Sequence, residues 1–126
     1  MLPIAVDAMG GDRAPAEILA GAHQAAELGI PILLVGPENL EGYGDLPVKV
    51  ATEVIAMDDD PAQSVRKKRD STLVRAAEAV RDGEACAMIS AGNTGATMAS
   101  ALLRMGRITG VARPAIATPV PVPGGT

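Results

Sequence analysis

The stretch Ser90-Ala91-Gly92-Asn93-Thr94-Gly95-Ala96 joins an apolar run, residues 85–89, to a segment in which apolar residues recur at helical spacing. This order predicts a strand, then a tight turn, then the beginning of a helix. Gly92 and Gly95 allow the backbone to turn sharply and to approach a ligand closely. The stretch therefore predicts one strand-turn-helix unit of an α/β domain.

Polar side chains stand within the same turn. Ser90, Asn93 and Thr94 lie beside the free N–H groups of the predicted helix's first turn. Such an arrangement favours the binding of an anion. The pattern leaves an alternative open, in which Asn93 or Thr94 only caps the helix and the turn binds nothing.

A second glycine turn follows the N-terminal apolar run, residues 4–6. Gly10 and Gly11 form this turn, and Pro15 suits the first turn of the helix that comes next. Asp12 can lie near the positive end of that helix. The sequence thus predicts a second strand-turn-helix unit of the same design.

Apolar runs and helical patterns alternate along the rest of the chain. The remaining predicted strands are residues 30–35, 48–55 and 113–117. Ser71 is predicted to cap a helix. The helix that follows the 90–96 turn should reach about Met105. This alternation predicts a doubly wound, mostly parallel α/β sheet, with ligands beyond the carboxyl ends of the strands. We assign residues 1–118 to one α/β domain and 119–126 to an extended Pro- and Gly-rich tail.

Composition narrows the class of protein. The 126 residues are 48% hydrophobic, enough for one core, and include a single aromatic residue, Tyr43. The lack of aromatic rings argues against nucleic-acid binding by base stacking, and the net charge of -4 argues against a general polyanion binder. The basic run 66–69 could still serve one phosphate or an acidic carrier protein. Cys86 lies in an apolar run, which predicts a buried thiol and a reducing compartment.

The sequence argues against a signal peptide, a membrane span, a nucleotide site and a metal site. No signal peptide or membrane-length apolar run is visible, which favours a cytoplasmic protein. Gly10-Gly11 does not have the spacing of a dinucleotide fingerprint, and no ATPase-type phosphate loop occurs. Residues 58–60 are adjacent carboxylates, far in sequence from the only histidine, His23, so we expect a solvated acidic loop and no metal site.

Taken in order, the motifs resemble one family. They are Val6-Asp7-Ala8-Met9-Gly10-Gly11-Asp12, Glu53-Val54-Ile55 with Met57-Asp58-Asp59, Lys67-Lys68 before Asp70-Ser71, and the 90–96 turn with Gly110 and Arg113-Pro114-Ala115. Together they make the chain similar to the PlsX-type phosphate acyltransferases of bacterial phospholipid synthesis over essentially its whole length. At Thr72-Leu73 the family pattern has a serine and a methionine. Members are much longer, so we expect an N-terminal portion.

The resemblance implies an enzyme that transfers a fatty acyl group from acyl carrier protein to inorganic phosphate, without metal or redox cofactor. It implies a fold similar to phosphotransacetylases, a homodimer, and peripheral membrane contact through later parts of the protein. In this view Asn93 and Thr94 donate to phosphate or to the oxyanion, and Lys68 contributes positive charge. Asp7 and Asp12 orient the turns, because a carboxylate beside phosphate is repulsive unless one partner carries a proton. The expected phosphate- or substrate-binding residues are Gly10, Gly11, Ser71, Ser90, Gly92 and Gly95.

Two alternatives remain at this point. One is acyl transfer with coenzyme A in place of the carrier protein, as in phosphotransacetylases. The other is an anion-binding or regulatory α/β domain without catalysis. The sequence offers no candidate groove for an acyl chain and no docking surface for a carrier protein, so we expect residues 1–126 alone to be inactive and prone to associate.

Overall fold

Four parallel strands form the centre of the fold in the computed structural model, which describes residues 1–125. They are β1 (Ile4–Asp7), β2 (Ile32–Gly36), β3 (Val48–Val50) and β4 (Ala87–Ile89). Their order across the sheet is β3-β2-β1-β4. After β1 the chain adds β2 and then β3 on one side of β1, and it later places β4 on the other side. Because the strand order reverses there, the carboxyl ends of β1 and β4 flank a topological switch point, where ligands of such sheets bind.

Helices cover both faces of the sheet. Within residues 1–125 the α-helices are α1 (Ala16–Glu27), α2 (Pro61–Lys67), α3 (Thr72–Arg81) and α4 (Thr94–Ser100), and α4 continues into a π-helical turn, Ala101–Met105. Successive strand side chains point to opposite faces. Accordingly, Val6 packs in one core cluster with Leu19 of α1, whereas Ala5 packs in another with Ala76 of α3. This two-sided packing confirms the doubly wound α/β fold.

Side-chain caps begin the helices α2 and α3. Asp60 accepts a hydrogen bond from the backbone N–H of Gln63 at 2.8 Å, and Pro61 occupies the first position of α2. Ser71 accepts one from the N–H of Val74 at 3.2 Å, which confirms its predicted role as the cap of α3. The sequence did not predict α2, because its seven residues follow an acidic run, end within the basic run 66–69 and show little apolar periodicity.

The strand predicted for residues 48–55 is too long. Strand β3 ends at Val50, because its only partner in the described sheet, β2, ends at Gly36. The N–H of Ala51 donates the last hydrogen bond between the two strands, to the carbonyl of Gly36. The chain then leaves the sheet, and Glu53 forms an isolated bridge with Ser71 at the beginning of α3.

The strand predicted for residues 113–117 does not form within the part of the chain described. Residues 106–125 are exposed throughout and contain only an isolated bridge between Val122 and Gly125. Strand β4 consequently pairs on one side alone, with β1. The prediction that Cys86 is buried is also wrong: it lies exposed just before this edge strand, because no neighbouring strand covers it among residues 1–125.

None of the helices described between residues 1 and 125 is sufficiently long and apolar to cross a bilayer.

Candidate functional site

The two glycine turns meet at the switch point between β1 and β4. Asp7, the last residue of β1, is 3% exposed. Its Oδ1 accepts a hydrogen bond from the N–H of Met9 at 3.1 Å, and its Oδ2 accepts one from the hydroxyl of Ser90 at 2.8 Å. The Ser90 oxygen in turn accepts from the N–H of Gly92 at 3.1 Å. One carboxylate therefore fastens both turns to each other.

Close backbone contact explains the glycines at this junction. A Cβ at Gly10 would lie 2.5 Å from Ser90 Oγ and 2.6 Å from Asp7 Oδ2. A Cβ at Gly92 would lie 3.1 Å from the Cα of Gly10. Gly11 has a φ of 115°, which side-chain-bearing residues rarely adopt. Glycine at these positions therefore lets the two turns pack closely against each other.

Asn93 lies in the 90–96 turn but points away from the Gly10-Gly11 turn. Its Oδ1 accepts from the N–H of Ala96 at 3.0 Å, so Asn93 caps α4. Its Nδ2 faces three carbonyl oxygens of the preceding acidic loop, those of Ala56, Met57 and Asp59, at 3.0–3.3 Å. These partners fix the orientation of the amide. Asn93 thus holds the acidic loop, residues 56–60, against the glycine turn, which is a different contact from the expected one to substrate.

Lys68 also binds the acidic loop. Its Nζ lies 2.6 Å from Asp59 Oδ2 and donates to the carbonyl of Val54 at 2.9 Å. The hydrogen bond from Lys68 is the main cause that lowers the pKa of Asp59, followed by that from the N–H of Ala56. The expected convergence of Lys68 and Ser71 on one anion is not present, because the ammonium group is paired with a carboxylate and Ser71 is fully buried.

The Lys68→Ala variant of the complete protein should lose thermal stability, because Asp59 loses its ion pair and the acidic loop loses a contact with the end of α2. We expect a fall in the thermal midpoint of about 1–3 °C, since partly exposed ion pairs contribute little. Because the pKa of Asp59 is lowered, the pair stabilises the fold above the ordinary aspartate value of 3.8, and its contribution is lost as the pH falls through the lowered value. Thermal denaturation from neutral to acidic pH checks this.

Lys67→Ala is the matched control, because Lys67 is exposed and makes no ion pair among the residues described. An equal loss in both variants would contradict a specific role for the Lys68–Asp59 pair. If Lys68→Ala raised the KM for phosphate and left the midpoint unchanged, the lysine would act on the anion directly instead.

The other predicted residues are divided between the junction and its surroundings. Thr94, the first residue of α4, is exposed and lines the cavity described below. Gly95 faces α2 instead, since a Cβ there would lie 2.7 Å from Pro61 Cγ. Asp12 is exposed in the Gly10-Gly11 turn and makes no side-chain hydrogen bond within residues 1–125. Gly95 therefore allows two helices to approach, while Ser90, Gly92 and Thr94 face the open space beside the junction.

A cavity of about 650 Å³ opens from this junction. Ser90, Gly92 and Thr94 line the end of the cavity at the junction, here called its polar end, and Thr97, Arg107 and Arg113 are further polar residues in its wall. The remainder is mainly apolar, with contributions from α4, the π-helical turn and the exposed segment that follows: Met98, Leu102, Met105, Ile108, Val111 and Ile116. The sequence did not indicate this groove, because half of its lining lies in a segment without regular structure. The arrangement can receive a ligand that has a polar end and an apolar chain.

A metal centre finds no support in the geometry. Among residues 1–125 no three His, Cys, Asp or Glu side chains are grouped so as to hold a metal ion.

The family model described as "Fatty acid synthesis protein" matches residues 2–126. The chain belongs to this family. Curated relatives named phosphate acyltransferase include one from Desulfitobacterium hafniense, 52% identical over 96% of this chain and 39% of its own length. A second is from Heliobacterium modesticaldum, 51% identical over 94% of this chain and 38% of its own length. A third is from an Anaeromyxobacter species, 50% identical over 94% of this chain and 36% of its own length.

Membership of the fatty acid synthesis protein family confirms the resemblance to the PlsX-type phosphate acyltransferases. The chain spans about two fifths of the length of these curated relatives. Both glycine turns, the acidic loop and the cavity lie within the matched residues.

Proposed function

We propose that the complete protein transfers a fatty acyl group from acyl carrier protein to inorganic phosphate, producing acyl phosphate for phospholipid synthesis. One observation carries this proposal: the two glycine turns meet at the switch point of the sheet, and the 90–96 turn lines one end of a mainly apolar cavity. The names of the relatives, phosphate acyltransferase, support it. The homodimer, the cytoplasmic location and the peripheral membrane contact that the resemblance implies belong to the same proposal.

Phosphate binding is assigned to the backbone of the turns. Gly10, Gly11 and Gly92 let the two turns approach each other closely, which brings the backbone of both turns to one place where an anion can bind. Thr94 adds a hydroxyl at the polar end of the cavity. The turns then hold the nucleophile beside the mouth of the apolar space, and this orientation is the main catalytic requirement, because phosphate is already nucleophilic.

The transfer itself exchanges one acyl bond for another. An oxygen of hydrogen phosphate attacks the thioester carbonyl carbon, a C–O bond forms, and the C–S bond breaks. The proton of hydrogen phosphate ends on the released thiol, so the products are acyl phosphate and free carrier protein. Donors near the carbonyl oxygen stabilise the negative charge that develops there.

The apolar cavity is assigned to the acyl chain. Leu102, Met105 and Ile108 offer side chains to a hydrocarbon ligand, and the polar end at Ser90 and Thr94 adjoins the anion site. An acyl group in this cavity would place its carbonyl end at the glycine turns. The exposed cations of the basic run, Arg66, Lys67 and Arg69, offer charge to an acidic carrier protein.

The deciding experiment incubates the complete protein with acyl-acyl carrier protein, with and without inorganic phosphate. Free thiol and acyl phosphate should appear in equal amounts and only when phosphate is present. Parallel reactions with acyl-coenzyme A distinguish the two donor classes. Turnover of the coenzyme A thioester alone would establish the phosphotransacetylase-like alternative, and phosphate binding without thioester cleavage would establish the non-catalytic domain.

A further inference from the structure

We propose that the Asp7–Ser90 hydrogen bond makes the anion site selective for hydrogen phosphate over sulfate. The inference takes from the proposed function only the position of the anion, at the junction of the two glycine turns. The selectivity depends on which atoms donate and which accept hydrogen bonds at this junction, and neither the glycines nor the apolar cavity determines that.

The hydroxyl of Ser90 has one proton and two lone pairs. Its proton is committed to Asp7 Oδ2, at 2.8 Å, because an ionised carboxylate oxygen only accepts. One lone pair is committed to the N–H of Gly92, at 3.1 Å. Ser90 also lines the polar end of the cavity. What it offers to a ligand there is the remaining lone pair, so Ser90 acts toward the ligand as a hydrogen-bond acceptor.

Asp7 holds the proton of the Ser90 hydroxyl in this direction. Its side chain is 3% exposed, and its other oxygen accepts from the N–H of Met9. The carboxylate therefore stays behind Ser90 and fixes the direction of the Ser90 hydroxyl. An oxyanion without a proton would face a lone pair backed by negative charge, which is repulsive, whereas an anion that carries a proton can donate it.

Hydrogen phosphate satisfies this geometry, since its P–OH group can donate to Ser90 Oγ. Its unprotonated oxygens are then free to face the peptide N–H groups of the turns and the thioester carbonyl. Sulfate has the same size and shape but carries no proton at neutral pH. The pair therefore selects the protonated anion and orients it for attack.

Titration calorimetry of the complete protein with inorganic phosphate and with inorganic sulfate tests this selection, using Asp7→Asn. The asparagine can accept from Met9 through its oxygen and donate to Ser90 through its NH₂ group, which frees the Ser90 proton to turn toward the ligand. We expect phosphate to bind more weakly and sulfate more tightly, each by on the order of tenfold. Asp45→Asn removes the same charge from an exposed loop position and should change neither affinity.

Opposite shifts for the two anions are the distinguishing result. Tighter binding of both anions would show a simple charge effect. Weaker binding of both anions would show a structural effect. Either result would overturn the inference. Ser90→Ala provides a second measurement if Asp7→Asn is unfolded: it removes the acceptor, so phosphate should weaken while sulfate does not, and equal weakening would also overturn it. Because binding is measured directly, failure of the acyl-transfer assay would contradict the proposed function without deciding this inference.

Discussion

Gly10→Ala is expected to lower phosphate-dependent acyl transfer by the complete protein by on the order of a hundredfold or more. The added methyl group would lie 2.5 Å from Ser90 Oγ and 2.6 Å from Asp7 Oδ2, at the hydrogen bond that joins the turns. Both atoms must move to admit it. A displacement of about 1 Å at a site that orients a nucleophile is sufficient for an effect of this size.

The effect of Gly10→Ala on folding should be smaller than its effect on rate. Overpacking of a tight contact costs typically about 1–3 kcal/mol. Urea denaturation and steady-state kinetics on the same preparation separate the two losses. Gly21→Ala is the control, because Gly21 lies in α1 and, apart from its chain neighbours and the backbone of its own helix, no atom lies within 4 Å of the added carbon; it should retain full activity. A Gly10→Ala protein that kept half of the parent activity would contradict the placement of phosphate at this junction.

Local patterns in the sequence were sufficient to place the two glycine turns. The turns follow buried β1 and edge strand β4, and both glycine and strand signals are local properties of the chain. Parallel strands then bring their carboxyl ends to one edge, so the approach of Gly10 to Gly92 followed from the fold class. The caps at Ser71 and Asn93 were predictable for the same reason, since a cap depends on residues only three positions apart.

Pairing between distant side chains could not be predicted in this way. Lys68 belongs to a basic run, and the sequence does not show that its ammonium group reaches back to Asp59. The amide of Asn93 likewise faces carbonyls 34–37 positions earlier in the chain. These contacts depend on α2, which packs against α4 where Gly95 meets Pro61 and which the apolar pattern did not reveal. Because this short helix was not predicted, the contacts that Lys68 and Asn93 make were not predicted either.

The environment of β4 shows a different limit. An apolar run such as residues 85–89 predicts a strand but cannot show whether a neighbour pairs with each edge. In the described part of the chain only β1 pairs with β4, so Cys86 and Ile89 are exposed. The cavity adjoins this same strand, with Met88 and Ser90 in its wall. Sequence patterns thus predicted least well the apolar cavity beside the proposed anion site.

Asn93→Ala should have the second large effect, through the position of the turn. The variant loses the cap of α4 and the donor shared by three carbonyl oxygens of the acidic loop. We expect the free energy of unfolding to fall by about 2–3 kcal/mol, from the lost cap and the unsatisfied acceptors. We expect the rate of acyl transfer to fall on the order of a hundredfold, because the turn that we propose to orient phosphate loses its support.

Asn93→Asp separates the two contributions of this side chain. Aspartate keeps an oxygen for the N–H of Ala96 but turns a second oxygen toward carbonyls that need a donor. The cap should survive while the acidic loop is repelled, so the rate should fall about as far as in Asn93→Ala. Exposed Asn39, changed to alanine, is the control and should alter neither unfolding nor rate. Full activity in Asn93→Asp would show that Asn93 serves only as a helix cap, and that the acidic loop does not support the site.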